Sequence, residues 1–204
     1  MTRRIAVVSA GLGTPSSTRL LADRLGAAAA AALRSRDVPA EVEVIELRPY
    51  ARALADHLVT GFPTGDLRTA LETVAAADAV IAVTPVFAAS YSGLFKTFFD
   101  VLDPDALTGR PVLIAATAGT ARHSLVLEHA MRPLFSYLRA FVVPTAVFAA
   151  PQDWAGGDSA GEALGARIDR AAAELADLVA GRQQARRADP FDEPTPFADL
   201  LRAG

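Results

Sequence analysis

The chain alternates between two kinds of apolar pattern, and that alternation limits what it can fold into. Short β-branched runs at 5–9 (IAVVS), 79–84 (AVIAVT) and 112–116 (VLIAA) are apolar almost throughout, as expected of strands buried on both faces. At 42–47, Val42, Val44 and Leu47 roughly alternate with Glu41, Glu43 and Glu46, which suits a strand nearer the sheet edge. A fifth apolar run spans 142–148. The intervening segments read as helices. Residues 17–36 carry Leu20, Leu21, Leu25 and Leu33 at roughly helical spacing and stop near Asp37 and Pro39. A helical or irregular stretch after Pro49 runs through His57 and Leu58 until GFPTGD breaks it, and further helices are predicted over 67–76, 94–102, 124–139 and 159–180. Each parallel return needs a crossover, so five strands separated by helices predict an α/β fold with a parallel sheet covered on both faces.

Composition narrows the function classes. With 204 residues, about half of them apolar, the chain can bury one full core, assigned here to residues 1–181. Residues 182–204 are charged and contain proline, and they read as a C-terminal tail. Phe191, Phe197, Leu200 and Leu201 give that tail enough apolar character to dock on its own or a partner subunit. A formal charge of −3, from 20 basic and 23 acidic residues, lacks the basic excess of a nucleic-acid binder. Cysteine is absent, which removes disulfides, thiolate metal sites and cysteine nucleophiles; no metal site is expected. The start, MTRRIAVVSAG, is too short in apolar residues for a signal peptide or a membrane span. The expectation is a cytoplasmic protein without a membrane partner.

In open parallel sheets, ligands sit beyond the carboxyl ends of the strands. The segments SAGLGTPSST, TPVFAASYSGLFK and TAGTARHS follow the first, third and fourth predicted strands, and all are rich in Gly, Ser and Thr. In the first, glycines permit close backbone approach, a helix N-terminus offers free N–H groups, and Ser16, Ser17 and Thr18 offer hydroxyl donors to a phosphate. An ordinary helix cap by Thr14 or Ser16, with Pro15 in the first turn, would need one hydroxyl rather than four. No G-K-[ST] P-loop is present. GLGTPS matches only half of G-x-G-x-x-G, and Glu46 lies too far along to be its ribose-binding acid. A mononucleotide site remains.

From residue 5 to about 180 the chain resembles the flavodoxin-like NAD(P)H-dependent FMN reductases, especially the type found beside flavin-dependent monooxygenases. The stretch 84–96, TPVFAASYSGLFK, is similar to the family's T-P-x-Y/F-x-x-S-x-x-G-x-x-K loop. The resemblance implies a flavodoxin-like three-layer sandwich with strand order 2-1-3-4-5, and it implies FMN and NAD(P)H as cofactors. It also implies that Ser9, Gly11, Ser16, Ser17 and Thr18 hold the FMN phosphate. Pro85, Val86, Phe87 and Ala88 would line the flavin ring and ribityl chain, and Thr117, Ala118 and Gly119 would close over the pyrimidine end. Backbone donors in 118–121, or Arg122 or His123, would stabilise charge at that edge. The family often has Tyr-Asn where this chain has Phe87 and Ala88, so backbone contact replaces a side-chain donor.

Hydride passing from the nicotinamide to FMN N5 needs no side chain as general acid. Three scattered histidines and no carboxylate pair or triad suit that chemistry. The reduced flavin would go to a partner monooxygenase or another acceptor. Three further readings stay open: a quinone, azo or chromate reductase on the same fold, a flavodoxin-type electron carrier, and a flavin-sensing binding module without turnover. The near-neutral balance and the basic loops with Arg19, Lys96, Arg122 and His123 argue against the carrier. Trp154, in PQDWAGG, is a candidate wall of the nicotinamide pocket. Helices around 94–102 and 131–138 would supply the surface of a homodimer or homotetramer.

Overall fold

The computed structural model describes residues 2–154 and 158–181. Strand β1 (Arg3–Ser9) leads into helix α1 (Ser17–Arg34), then β2 (Ala40–Glu46). A 3₁₀ turn (Arg48–Tyr50) opens α2 (Ala51–Thr60), which α3 (Asp66–Ala76) follows. Strand β3 (Ala79–Phe87) folds back as β4 (Ser90–Tyr91) before α4 (Gly93–Asp100) and β5 (Pro111–Thr117). A 3₁₀ turn (Ala121–His123) and a π-helical turn (Leu127–Met131) precede α5 (Arg132–Tyr137). Strands β6 (Phe141–Val142) and β7 (Val147–Ala149), helix α6 (Pro151–Trp154) and helix α7 (Asp158–Gly181) complete the described chain.

The parallel strands lie in the order β2-β1-β3-β5-β6, with β7 also paired to β5 and β4 hydrogen-bonded antiparallel to β3. Because β6 and β7 share the fifth position, the order is the expected 2-1-3-4-5, and the fold is flavodoxin-like. Alternate strand residues point to opposite faces. Ile5, Val7, Ile81 and Leu113 pack under Leu21 and Leu25 of α1 and Leu164 and Leu175 of α7. Ala6, Val8, Val80 and Ile114 pack against Leu54, Leu67, Val74, Phe95 and Phe135 on the other side. All seven residues of β5 are buried, whereas edge strand β2 alternates. Helix α1 approaches β1 and β2 closely at Gly26, where a Cβ would meet Val42 Cγ1 at 3.0 Å.

Two predicted elements are broken. The fifth strand splits into two because Pro144 has no N–H for the ladder, and with the added hairpin strand β4 the sheet has seven strands rather than five. Pairing shifts from Val112↔Val142 to Ala115↔Val147 across the gap. The bulged backbone finds side-chain partners instead. Arg132 donates to the carbonyls of Val143 (3.2 Å) and Pro144 (3.1 Å), and Glu174 accepts from Thr145 N and Oγ1, each at 2.7 Å.

The predicted helix over 124–139 is likewise interrupted. Pro133 cannot donate to the His129 carbonyl, and the preceding turn widens until Arg132 N bonds the Leu127 carbonyl in a π turn. Strand β3 runs three residues beyond its predicted end, into the hairpin. The tail over 182–204 lies outside the described residues. Among those described, no helix is long and apolar enough to cross a membrane.

Candidate active site

Strands β1, β3 and β5 are adjacent, with Ser9 beside Val83 and Pro85 beside Thr117, so their following loops meet at one edge of the sheet. Ser16 is the N-cap of α1, its Oγ accepting from Arg19 N at 3.1 Å. Its own hydroxyl proton remains available to donate. The loop closes tightly on this turn: a Cβ at Gly11 would lie 2.1 Å from Ser16 Oγ and 3.1 Å from Thr18 Cβ. Thr18 is 2% exposed and shares a 2.8 Å hydrogen bond with Thr117 Oγ1, tying α1 to the end of β5. Ser17 is exposed. Ser9 is 1% exposed and its Oγ has no hydrogen-bond partner among the described residues. The three successive hydroxyls thus have separate positions: one caps, one faces solvent, and one is buried against Thr117.

The β3–β4 hairpin forms the second wall. Val86 pairs with Tyr91 and Phe87 with Ser90, leaving Ala88 (φ 47°) and Ala89 (φ 65°) as a two-residue turn with both φ positive, a conformation that usually selects Asn-Gly. Thr84 Oγ1 accepts from Ser92 N at 3.0 Å and donates to the Pro85 carbonyl at 2.9 Å. Ser92 Oγ in turn caps α4 by accepting from Phe95 N at 3.2 Å. These bonds hold Pro85 and Val86 half-buried while Phe87 is 48% exposed. In the third loop, Ala118 N is spent on the Ala149 carbonyl (3.2 Å). The N–H groups of Gly119 and Thr120 have no partner among the described residues.

Two clefts flank the first turns of α1. One, about 330 Å³, is lined by Ser17, Ala118, Pro151 and Trp154. Trp154 belongs to α6, and Arg24 stands over its ring, Cζ 5.1 Å from the ring centre. The larger, about 600 Å³, includes Gly11, Thr14, Ser16, Arg19, Glu46 and Arg48 in its wall. There Arg19 bonds Asp23 (2.8 Å) and Glu46 (2.9 Å), and these two hydrogen bonds raise its pKa, Asp23 first. Arg48 Nη1 donates to Thr14 Oγ1 at 2.6 Å. The sequence had offered no reason to place the loop after β2 in the site.

His123 ends a 3₁₀ turn beyond Thr120 and lines neither cleft. Lys96 pairs with Asp100 one turn on. Phe95, Phe98, Phe99 and Phe135 form an internal ring cluster, with Phe99 and Phe135 centroids 4.9 Å apart. The helices expected to form a subunit contact therefore spend these rings on the core. No group of side chains among the described residues is arranged to hold a metal ion.

The sequence model of the NADPH-dependent FMN reductases matches residues 3–155. The chain belongs to the NADPH-dependent FMN reductase family. It is 38% identical over 181 residues to the FMN reductase (NADPH) of Pseudomonas aeruginosa, covering 89% of this chain and 95% of that protein. It is 39% identical over 175 residues to the NADH-dependent FMN reductase SfnF of Pseudomonas fluorescens, covering 86% and 91%. Among solved structures, an oxidoreductase from Corynebacterium diphtheriae is 50% identical, with a TM-score of 0.86 over 89% of this chain and 99% of that one. Membership makes this an NAD(P)H-dependent flavin oxidoreductase using FMN.

The site fits the family's cofactor on one feature. A buried hydroxyl, Ser9 Oγ, lies unsatisfied at the end of β1. The loop that follows is packed tightly, since a Cβ at Gly11 would collide with Ser16 Oγ.

Proposed function

We propose that this FMN reductase seats the FMN phosphate at the N-terminus of α1 and the flavin ring between the 85–88 hairpin and the 117–119 loop. The observation that carries the reading is the orphaned Ser9 hydroxyl, since a buried donor without a partner costs about 1–3 kcal/mol unless a ligand satisfies it. When bound, FMN would supply the redox chemistry, with NAD(P)H as the reductant. The protein's part is to bind and orient. Ser16, Ser17 and the first N–H groups of α1 donate to the phosphate, aided by the helix dipole. Thr18, held by Thr117, fixes the turn beneath it. Phe87 offers its exposed ring to the flavin, and the Ala88 backbone stands where a side-chain amide is lacking. The free N–H groups of Gly119 and Thr120 face charge at the pyrimidine edge, with Arg122 and His123 just beyond. Trp154 walls the cleft beside Ala118 through which the nicotinamide approaches.

The same reading has reduced flavin passing to a partner monooxygenase or another acceptor from a cytoplasmic homodimer or homotetramer. Tyr137, 84% exposed, and Phe141 on the outer strand β6 leave apolar surface for a subunit contact. Light scattering that returns a monomer mass removes the oligomer. For the activity, flavin fluorescence titration with FMN and loss of NAD(P)H absorbance are the measurements. FMN-dependent oxidation of at least one nicotinamide is expected, and none with either overturns the assignment.

A further inference from the structure

The cradle so far described contains hydroxyls and backbone N–H groups but no full positive charge, and its ligand would be a dianion. Two guanidinium groups line the larger cleft. Arg19 is engaged by both Asp23 and Glu46, so this trio is net negative and repels a phosphate. Arg48 differs. Among the described residues it has no carboxylate partner, and one of its N–H groups donates to Thr14 Oγ1 at 2.6 Å. Its backbone is anchored at the other end of the same loop, because the preceding residue, Leu47, donates its N–H to the Ser9 carbonyl at 2.9 Å. Residue 48 therefore spans the turn from the strand that ends in the orphaned hydroxyl to the tip at Thr14. A guanidinium has five N–H donors in a planar fork suited to phosphate oxygens, and Thr14 uses one.

We propose that Arg48 reads the flavin's phosphate, docking on Thr14 to supply the charge that makes this site select FMN over phosphate-free riboflavin, with Glu46 as the opposing charge. The inference rests on the reading of this site as the FMN phosphate cradle. Charge-assisted hydrogen bonds to phosphate are about twice as strong as neutral ones, and riboflavin cannot form them.

The test compares wild type, Arg48→Gln and Glu46→Gln. Dissociation constants for FMN and riboflavin are measured by flavin fluorescence at low ionic strength, and circular dichroism verifies folding. Arg48→Gln is expected to weaken FMN binding about tenfold or more while riboflavin binding changes less than about twofold. Glu46→Gln is expected to tighten FMN several-fold and leave riboflavin unmoved, a gain that loss of structure cannot imitate. Equal weakening of both flavins by Arg48→Gln would reduce Arg48 to a loop clamp and overturn the proposal, as would an unchanged ratio in both variants. Wild type that binds both flavins alike refutes the role of Arg48 alone. Wild type that binds neither refutes the phosphate cradle, and Arg48's role with it.

Discussion

Gly11 is the position at which the loop geometry makes its sharpest demand. In Gly11→Ala, the new Cβ would sit 2.1 Å from Ser16 Oγ, 3.2 Å from Ser16 Cβ and 3.1 Å from Thr18 Cβ. The Ser16 hydroxyl must rotate away and lose its bond to Arg19 N, a cap worth about 1 kcal/mol. Thr18 cannot make room cheaply, since it is buried and tied to Thr117, and crowding of this kind costs about 1–3 kcal/mol. Reduced freedom of the unfolded chain returns about 0.4–1 kcal/mol. The net loss is about 1–3.5 kcal/mol, lowering Tm by roughly 2–14 °C for a chain of this size. Ser16→Gly alone costs only a few tenths of a kcal/mol, and it removes both atoms of Ser16 that the new methyl meets. The double variant should accordingly be more stable than Gly11→Ala, with a coupling of about 1 kcal/mol in thermal melts. FMN affinity should fall about tenfold in Gly11→Ala, which displaces the Ser16 hydroxyl, and stay low in the double variant, which lacks that hydroxyl. Additive melting shifts, or Gly11→Ala binding FMN like wild type, would refute the reasoning.

Three other perturbations probe the supports of the site. Thr117→Val removes one partner of a buried hydroxyl pair and should cost about 1–3 kcal/mol, whereas adding Thr18→Val should recover part of that loss because no buried donor is then stranded; urea midpoints measure both. Replacing Ala88-Ala89 by Asn-Gly relieves side chains from left-handed backbone and should raise stability by about 1 kcal/mol. An unchanged denaturation midpoint would show the turn to be unstrained. The hydrogen bond from Arg132 holds the Glu128 pKa below its usual value of 4.5, with Arg132 Nε 2.6 Å from Glu128 Oε2. A depressed carboxyl pKa contributes stability above the unfolded value and loses it as pH falls through the folded one. Glu128→Gln should therefore trail wild type at neutral pH, by no more than about 1 kcal/mol for so exposed a pair, and the gap in Tm should close below about pH 4.5.

What could be read from the chain, and what could not, follows from the range of the interactions involved. Strands β1, β3 and β5 are buried on both faces, so their identity is written in consecutive apolar residues and needs no partner to be recognised. The break between β6 and β7 has a local cause in Pro144. Its repair by Arg132 and Glu174 is distant in sequence, which is why the sequence predicts an unbroken strand over 142–148. The β3–β4 hairpin was hidden because Ala88 and Ala89 are not turn residues; the bonds joining Thr84, Ser92 and Phe95 hold it instead. The hydroxyl triplet shows the same limit at the site. Composition marks 16–18 as polar, but each step along a helix rotates the side chain by about 100°, so neighbours in sequence meet different surroundings. Ser16 caps, Ser17 lines the Trp154 cleft, and Thr18 turns inward to Thr117, a residue that only the β1-β3-β5 order brings within reach. Arg48 is the extreme case. Nothing near RPY resembles a ligand loop, and its position depends on Glu46 pairing with Ser9 in parallel register, which carries the chain beyond β2 back to the first loop. A residue recruited in this way is chosen by strand order, and a motif search confined to the glycine-rich loops has no means of finding it.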